Sequence, residues 1–501
     1  MSSRKATYVL LAVGTVVVLT LSFVPYTLTK LSDAGRRLVS TVSARPEGAG
    51  AQPAPPAPPR TPEFDVAAWY MSHEEEPEKQ GVLVETLDGR RLLASHNADT
   101  QFNPASLVKL ATTLAVLRKL GPDYRFETQV YVTGTPDPSG RLQGRLHVAT
   151  NDPLFGDVTA AAVARELRAR GIRDADEGVT VSPNFSFNFS ESIEESVERL
   201  KKALKATASA NGSKGAKEEK AKQERSQAEE KKRERSDRKE TGKKPAANSN
   251  SNKQARRGNR NDESARGEEN RNARREGSGK NGEAGADGSE FVAEPPAEAP
   301  LFVVESYPLR EVLLYMNVHS SNFVAERIGA LVGGPEGVRQ FLIDEVKIPA
   351  AEVTLSTASG LEINRMTPRG ILAVLRALNE EVGRRGLQLQ DIMPIASDEG
   401  TLRQRFKGSP LESSAVGKTG TLVHDDGGMA GLAGVIYTRN AGPILFAVLA
   451  QGSEVWQNRQ VTDQLLTEVI TLQDTPQPIP SDTPRKILQH DQVTVRSSSQ
   501  P

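Results

Sequence analysis

The 501-residue chain contains no cysteine and only six histidines. The absence of cysteine excludes disulfides, a thiol nucleophile and cysteine-ligated zinc. The histidines are scattered and show no HExxH spacing, so a zinc hydrolase has little support. The chain also lacks net charge, with 64 basic and 64 acidic residues. Because a balanced chain has no overall attraction to polyanions, no nucleic-acid partner is expected.

Large apolar residues are almost absent between residues 201 and 290. Leu204 is the one leucine there, and Ile, Val, Met, Phe, Tyr and Trp do not occur. Such a segment cannot bury enough apolar surface to offset its conformational entropy. We predict a low-complexity charged insert over 184–300 that is mostly disordered, with a short helix near Ile193 leading into it. Contact of its basic residues with anionic cell-wall polymers or nucleic acid is an alternative to a solvated polyampholyte, which we favour.

The N-terminus has a different composition. Arg4 and Lys5 precede an apolar stretch over about residues 6–28. A stretch of roughly 20 apolar residues can span a bilayer, and its basic end stays in the cytoplasm. We predict a membrane anchor or signal segment over 1–30, with the anchor favoured over a cleaved signal, and a Pro-rich linker over 31–65. Either interpretation exports the rest of the chain.

Regular secondary structure is predicted on both sides of the insert. Residues 82–87 and 91–95 flank Asp88-Gly89, which is typical of a hairpin. Residues 104–120 are apolar on every side, as in a buried helix. Further helices are predicted over 157–171, 309–333, 367–386 and 454–472, and a strand pair over 431–438 and 444–451. The tail over 473–501 is rich in Pro, Ser and Gln and is predicted to be disordered.

Ser106 and Lys109 form the first motif that indicates chemistry. A serine hydroxyl needs a base within hydrogen-bond reach, and a lysine can act as that base. Residues three apart share one face of a helix, so the two side chains can meet. The pattern SxxK is weak alone, since Ser236 and Lys239 also fit it within the insert. The place of Ser106 at the start of a buried helix distinguishes it.

Two later motifs supply the groups that such a pair would need. Ser320 could relay a proton to a leaving amine, and Asn322 could bind both a substrate amide and the lysine. Lys418 and Thr419 could hold a substrate carboxylate, and Gly420 would let substrate lie against a strand. Each motif alone is common, but the three in this order are characteristic of penicillin-binding proteins and serine β-lactamases.

Five separated blocks extend the likeness. They read FNPASLVKLATTLAVLRKLG, YRFETQVYVTG, MNVHSSNFVAERIG, MPIASDEGTLRQRF and GKTGTL…GLAGVIYT. Over roughly residues 75–183 and 301–472 the chain resembles the class C penicillin-binding proteins, the D-Ala-D-Ala carboxypeptidases of peptidase family S13. Departures occur at residues 149–154 and 357–360, where the family usually has a glycine-rich GDPT-like block and Asp-Gly-Ser-Gly. These departures leave the three catalytic motifs intact.

The resemblance implies a role for each motif residue. Ser106 would be the acylated nucleophile, Lys109 its general base and Ser320 the proton relay. Asn322 would bind the substrate amide. The remaining substrate-binding residues would be Lys418, Thr419, Gly420 and Thr421, with the backbone amides of Ser106 and Thr421 forming the oxyanion hole. No metal or cofactor is implied. We interpret the loop His424-Asp425-Asp426 as solvated, with substrate contact as the weaker alternative.

The implied fold is α+β, that of the penicillin-recognising serine enzymes: an antiparallel sheet flanked by helices, plus a helical subdomain. The catalytic domain would be discontinuous, over 66–125 and 301–472, around a reduced inserted subdomain over 126–183. The expected location is the extracytoplasmic cell envelope, with the inner membrane as anchor point.

The implied activity is that of a D-Ala-D-Ala carboxypeptidase, with endopeptidase action as a further activity. Its partners would be peptidoglycan stem peptides, with β-lactams as covalent inhibitors. A β-lactamase or esterase, and a non-catalytic wall-binding scaffold, remain alternatives.

Overall fold

The computed structural model describes residues 61–175, 178–206, 291–480, 485, 487, 488 and 492–497. They all fall within a unit that spans Arg60–Pro501. The predicted anchor and linker up to residue 60, and the insert over 207–290, lie outside the described residues. Within the described ranges, no helix is long and apolar enough to cross a membrane.

A five-stranded antiparallel sheet forms the centre of the fold. Its strands are β1 (Gln80–Thr86), β2 (Leu92–His96), β9 (Ala415–Leu422), β10 (Met429–Tyr437) and β11 (Pro443–Gln451), in the order β2-β1-β11-β10-β9. The predicted Asp88-Gly89 hairpin is confirmed, and Gly89 has the positive φ of 68° that such a turn requires. The strand pair predicted over 431–438 and 444–451 is also confirmed, as β10 and β11. Strand β9 lies at the edge of the sheet, and the segment around Ile395 pairs with its first residues: Ala396 N–H donates to the Ala415 carbonyl and Gly417 N–H donates to the Pro394 carbonyl.

Helices cover this sheet and build the helical subdomain. They are α1 (Val66–Ser72), α2 (Val108–Leu120), α5 (Leu309–His319), α6 (Asn322–Ala330), α7 (Gly334–Phe341), α8 (Pro368–Arg384) and α9 (Val455–Gln473). The burial predicted for α2 is confirmed, because every residue from 108 to 117 is buried. Fully burying one leucine or valine contributes about 1.5–3 kcal/mol, so this helix is firmly placed in the core.

A second five-stranded sheet forms the inserted subdomain. It contains β3 (Arg125–Pro136), β4 (Leu142–Thr150), β5 (Val179–Val181), β6 (Phe302–Pro308) and β12 (Thr494–Ser497), in the order β12-β6-β3-β4-β5. Helices α3 (Asp157–Ala169) and α4 (Ile193–Ala206) complete the subdomain. A short pair, β7 (Val353–Thr354) and β8 (Arg365–Met366), lies apart from both sheets.

The predicted bounds of this subdomain are wrong on both sides of the insert. Phe185, Phe187, Val197 and Leu200 belong to its buried core, although 184–300 was assigned to the insert. The apolar residues of α4 recur at helical spacing, so this helix packs on the subdomain. It is therefore part of the subdomain core rather than a short helix at the start of the insert. Strand β6 pairs with β3, so residues 302–308 also belong here, although the prediction placed them in the catalytic domain.

The prediction of a disordered C-terminal tail is also wrong for its described part. Strand β12 pairs with β6, matching Thr494 with Glu305 and Ser497 with Phe302. Arg496 forms ion pairs with Glu127 and Glu305 across this edge. The composition of the tail gave no indication of this four-residue strand, because its backbone rather than its side chains pairs with the edge of β6. The pairing satisfies backbone N–H and C=O groups that an open sheet edge would leave unpaired.

Candidate active site

Ser106 lies in a single 3-10 turn, Ala105–Leu107, directly before α2. The preceding residue, Ala105, has φ 47°, an unusual conformation for a residue with a side chain. Its N–H donates to Asn103 Oδ1 at 3.0 Å, which helps to hold the strained backbone. The sequence predicted a helix from Pro104, but the α-helix begins at Val108 and the serine belongs to the turn that precedes it.

Lys109 is fully buried and lies within hydrogen-bond distance of the nucleophile candidate. Its Nζ is 2.9 Å from Ser106 Oγ, 2.7 Å from Asn322 Oδ1 and 2.7 Å from the carbonyl oxygen of Ser359. Three acceptors fix the amine in one position, with the serine oxygen as one of them. The first two predicted motifs are therefore in direct contact.

Ser320 and Lys418 form a second hydroxyl–amine pair. Lys418 is fully buried, and its Nζ donates to Ser320 Oγ at 2.7 Å. The helix predicted over 309–333 is interrupted here, because Ser320 has φ 53° and ends α5 in the left-handed conformation. The interruption turns the chain so that α6 starts at Asn322, two residues later. The break thus places both predicted polar groups at the site.

Strand β9 carries the remaining predicted residues past the Ser106 turn, Ala105–Leu107. A Cβ added at Gly420 would lie 2.6 Å from the carbonyl oxygen of Pro104 and 3.3 Å from Leu107 Cγ, so a side chain there would collide with the turn. Thr419 Oγ1 is 3.0 Å from Thr401 Oγ1. Thr421 is half-buried and accepts a hydrogen bond from Arg459. The glycine is thus required by close approach of two backbones.

Glu326 supports the site, although the sequence analysis did not single it out. Its carboxylate accepts hydrogen bonds from the backbone N–H groups of Ala358, at 3.2 Å, and Ser359, at 2.8 Å. It lies one helical turn after Asn322, so the two side chains share a face of α6. That spacing was a signal present in the sequence. Among residues 357–360, which depart from the family pattern, Ser359 contacts Lys109 directly through its backbone carbonyl oxygen.

The loop after β9 is attached to Asn103, just before the Ser106 turn, rather than wholly solvated. Asp426 forms an ion pair with Arg365 at 2.6 Å and accepts from Asn103 Nδ2 at 3.1 Å. The hydrogen bond from Arg365 holds the pKa of Asp426 below its ordinary value, and the bond from Asn103 lowers it further, against the effect of burial. The solvated interpretation holds for His424 and Asp425, which are exposed, and is wrong for Asp426.

These contacts assemble one constellation from four separate segments. A hydroxyl adjoins a buried amine, a carboxamide adjoins the same amine, and a second hydroxyl–amine pair lies beside an edge strand. Such a set can activate an oxygen nucleophile, transfer its proton and hold an extended peptide along the strand. Among the described residues, no group of histidine and carboxylate side chains is arranged to hold a metal ion.

Comparison with known protein families identifies the family of this chain. The model of the D-Ala-D-Ala carboxypeptidase 3 (S13) family matches residues 65–186 and 212–469. The chain belongs to this family. The matched ranges contain all three motifs.

Curated relatives share parts of this sequence. A D-alanyl-D-alanine carboxypeptidase from Actinomadura sp. (strain R39) is 36% identical over 92 residues, which are 18% of this chain and 17% of that protein. A carboxypeptidase from Mycobacterium tuberculosis is 31% identical over 196 residues, 36% of this chain and 41% of that protein. The matches thus span less than half the length of either relative.

Solved structures share the fold over a longer range. A predatory endopeptidase from Bdellovibrio bacteriovorus covers 83% of this chain and 98% of its own, with 20% identity and a TM-score of 0.57. The same enzyme acylated by penicillin G gives a TM-score of 0.56 over 83% and 99% of the two chains, at 20% identity. The expected α+β fold, an antiparallel sheet with flanking helices and a helical subdomain, is confirmed.

Proposed function

We propose that this protein is a serine-type D-Ala-D-Ala carboxypeptidase, with DD-endopeptidase action on crosslinks, that trims peptidoglycan stem peptides through an acyl-enzyme on Ser106. The distance of 2.9 Å between Lys109 Nζ and Ser106 Oγ, inside a site shared with Asn322, is the observation that carries the proposal. A serine is a poor nucleophile without such a partner.

Acylation would begin from an uncharged Lys109 amine, whose lone pair accepts the Ser106 hydroxyl proton while its N–H groups donate to Asn322 Oδ1 and the Ser359 carbonyl oxygen. The oxygen attacks the carbonyl carbon of the penultimate D-alanine and forms a tetrahedral oxyanion. The backbone N–H groups of Ser106 and Thr421 are proposed to hold that charge, and fixed donors of this kind stabilise a transition state without reorganisation. Asn322 is proposed to bind the substrate amide while its carbonyl oxygen retains the lysine.

The leaving amine then needs a proton as the C–N bond breaks. Ser320 is proposed to pass its hydroxyl proton to the amine and to receive in exchange the proton that Lys109 took from Ser106. Lys418 Nζ, which donates to Ser320 Oγ at 2.7 Å, would hold that hydroxyl in place. Lys418, Thr419, Gly420 and Thr421 would hold the substrate along β9. Water then attacks the ester carbonyl, Lys109 is proposed to take one water proton and return it to Ser106 Oγ as the C–O bond breaks, and the shortened peptide leaves with a new carboxylate.

The same groups would make the protein sensitive to β-lactams, which acylate the serine in place of the peptide. The penicillin G-acylated Bdellovibrio structure supports this by analogy of fold. Stem peptides lie outside the cytoplasm, so the proposal includes an extracytoplasmic location. The apolar stretch over residues 6–28 is proposed as the inner-membrane anchor.

The proposal can be tested with a fluorescent penicillin and a peptide ending in D-Ala-D-Ala. The purified protein should form a long-lived fluorescent adduct and release D-alanine from the peptide. Rapid loss of the adduct with hydrolysed drug and no release of D-alanine would indicate a β-lactamase instead. A folded protein with neither adduct nor release would indicate a non-catalytic scaffold.

A further inference from the structure

Two threonine hydroxyls share one face of the edge strand. Thr419 and Thr421 lie two residues apart on β9, and alternate residues of a strand point to the same side. Thr419 Oγ1 lies 3.0 Å from Thr401 Oγ1, and Arg459 Nη2 donates to Thr421 Oγ1 at 2.5 Å. This face therefore carries a hydroxyl in contact with a cation.

Arg459 is held firmly in α9. Its guanidinium carbon lies 4.4 Å from the centroid of the Trp456 ring, a distance at which a cation–π contact is favourable. Its backbone carbonyl accepts from Arg405 Nη2 at 3.2 Å, and Arg405 is ion-paired with Asp463 one turn further along α9. Arg405 thus holds the backbone of α9 at this position, and the Trp456 ring and Thr421 Oγ1 are the groups that contact the guanidinium itself.

The contact determines what the Thr421 hydroxyl can do. Arg459 has N–H donors and no acceptor, so the hydroxyl oxygen accepts from it and the hydroxyl hydrogen must point elsewhere. A hydroxyl polarised in this way, beside a fixed cation on an edge strand, is suited to donate to an anion. A carboxylate on a bound peptide is the anion that such a strand would meet.

We infer that Arg459 is a specificity-determining residue that makes the Thr421 end of the site selective for substrates with a free C-terminal carboxylate. The inference rests on the proposed function and names a feature of its substrate. It predicts that uncharged esters of the same substrates acylate the enzyme poorly because they lack the charge that this residue recognises.

The test uses a matched pair of substrates. One is an N-acyl-D-alanyl thioester of mercaptoacetic acid, which carries a free carboxylate, and the other is its methyl ester. Arg459→Met should lower kcat/KM for the acid about 10- to 100-fold, the range expected for one charge-assisted hydrogen bond, and leave the ester little changed. Arg459→Lys should keep part of the preference because it keeps the charge.

Two further variants complete the design. Arg439→Met removes a charge from the exposed turn between β10 and β11 and should leave the acid-to-ester ratio unchanged. Thr421→Val should lower the acid-to-ester ratio of kcat/KM without removing a charge. This variant also tests the inference if Arg459→Met fails to fold. An equal loss on both substrates would overturn the inference. If wild-type protein cleaved neither thioester, the proposed function itself would fail, and this inference with it.

Discussion

Glu326 binds the backbone of Ser359, and through it reaches the buried amine of the site. Its carboxylate accepts the N–H of Ser359 at 2.8 Å, and the carbonyl oxygen of the same residue accepts from Lys109 at 2.7 Å. Helix α6 therefore supports the lysine twice, directly through Asn322 and indirectly through the loop that Glu326 holds. The carboxylate is a positioning residue, since it does not touch the serine.

Replacing Glu326 should slow acylation without abolishing it. Glu326→Ala removes two acceptors from buried or half-buried N–H groups, and each lost bond of this type costs about 1–3 kcal/mol. We expect a roughly 10-fold or greater fall in the second-order rate of penicillin acylation, with partial recovery in Glu326→Gln, which keeps one acceptor. Stopped-flow labelling across pH measures both the rate and the shape of its pH profile.

The matched control is Glu336→Gln, on the next helix, where the side chain is 73% exposed. This control should change neither the rate nor the pH profile. If Glu326→Ala lowered thermal stability yet acylated at the wild-type rate across the whole pH range, the positioning role would be wrong.

Gly360 should not tolerate a side chain. Its φ is +87°, and an added Cβ would lie 1.9 Å from the carbonyl oxygen of Ala105, the residue before Ser106. Gly442 offers the matched comparison, with φ +71° and no atom within 4 Å of an added Cβ. Gly442→Ala should lower the free energy of unfolding by about 1–2 kcal/mol, the cost of a left-handed residue alone. Gly360→Ala should cost more and should also slow acylation, as chemical denaturation and labelling would measure.

Equal effects of these two substitutions would show that the loop carrying Gly360 can move away from the nucleophile. That result would contradict the close contact between the loop and the Ser106 turn.

Asp152 should make stability depend on pH. Burial raises its pKa from 3.8 to about 7, with the N–H of Leu154 as its one opposing hydrogen bond. The folded protein therefore holds this proton to a higher pH than the unfolded chain does. The stabilisation that this proton adds to the free energy of unfolding is fully present below about pH 4. It declines as the pH rises and is lost above about pH 7.

Asp152→Asn removes this titration and keeps an acceptor for Leu154. The free energy of unfolding of the variant, measured relative to wild type, should be a few kcal/mol higher at pH 8 than at pH 5. Thermal unfolding at both pH values would measure this change. A constant difference between the two proteins across this range would show that the carboxyl ionises normally in the folded state.

The sequence predicted the elements with strong periodicity and the residues whose spacing has a chemical reason. Ser106 and Lys109 were predicted from their three-residue spacing, from the place of Ser106 at the start of a buried stretch, and from the two motifs that follow in the characteristic order. The contact of Arg459 with Thr421 and that of Asp426 with Arg365 were not predicted, because 38 and 61 positions separate the partners. Contacts between residues so far apart in the sequence leave no local sequence pattern from which they could be predicted. Strand β12 was missed for the same reason, since it exists only where the edge of β6 is available.

Removal of residues 207–290 should leave the fold and acylation intact when a short flexible linker replaces them. The segment contains no Leu, Ile, Val, Met, Phe, Tyr or Trp, so it has no apolar side chains to add to a core. Phe291, which follows it, already lies near Lys201 of α4, with Nζ 4.9 Å from the ring centroid. Penicillin labelling and thermal unfolding of the shortened protein would check this.

The control is a larger deletion, 193–290, which also removes α4. It should lower the thermal stability, because Val197 and Leu200 are fully buried in the subdomain core. Loss of labelling in the shorter deletion would mean that the segment shapes the site.

The most direct test of the whole account is to locate the covalent adduct. The protein is treated with benzylpenicillin, digested and mapped by tandem mass spectrometry, alongside Ser106→Ala. We predict a single mass addition of one intact penicilloyl group on Ser106, and no adduct in the folded Ser106→Ala variant. An adduct on another residue, or labelling that survives in Ser106→Ala, would contradict the account.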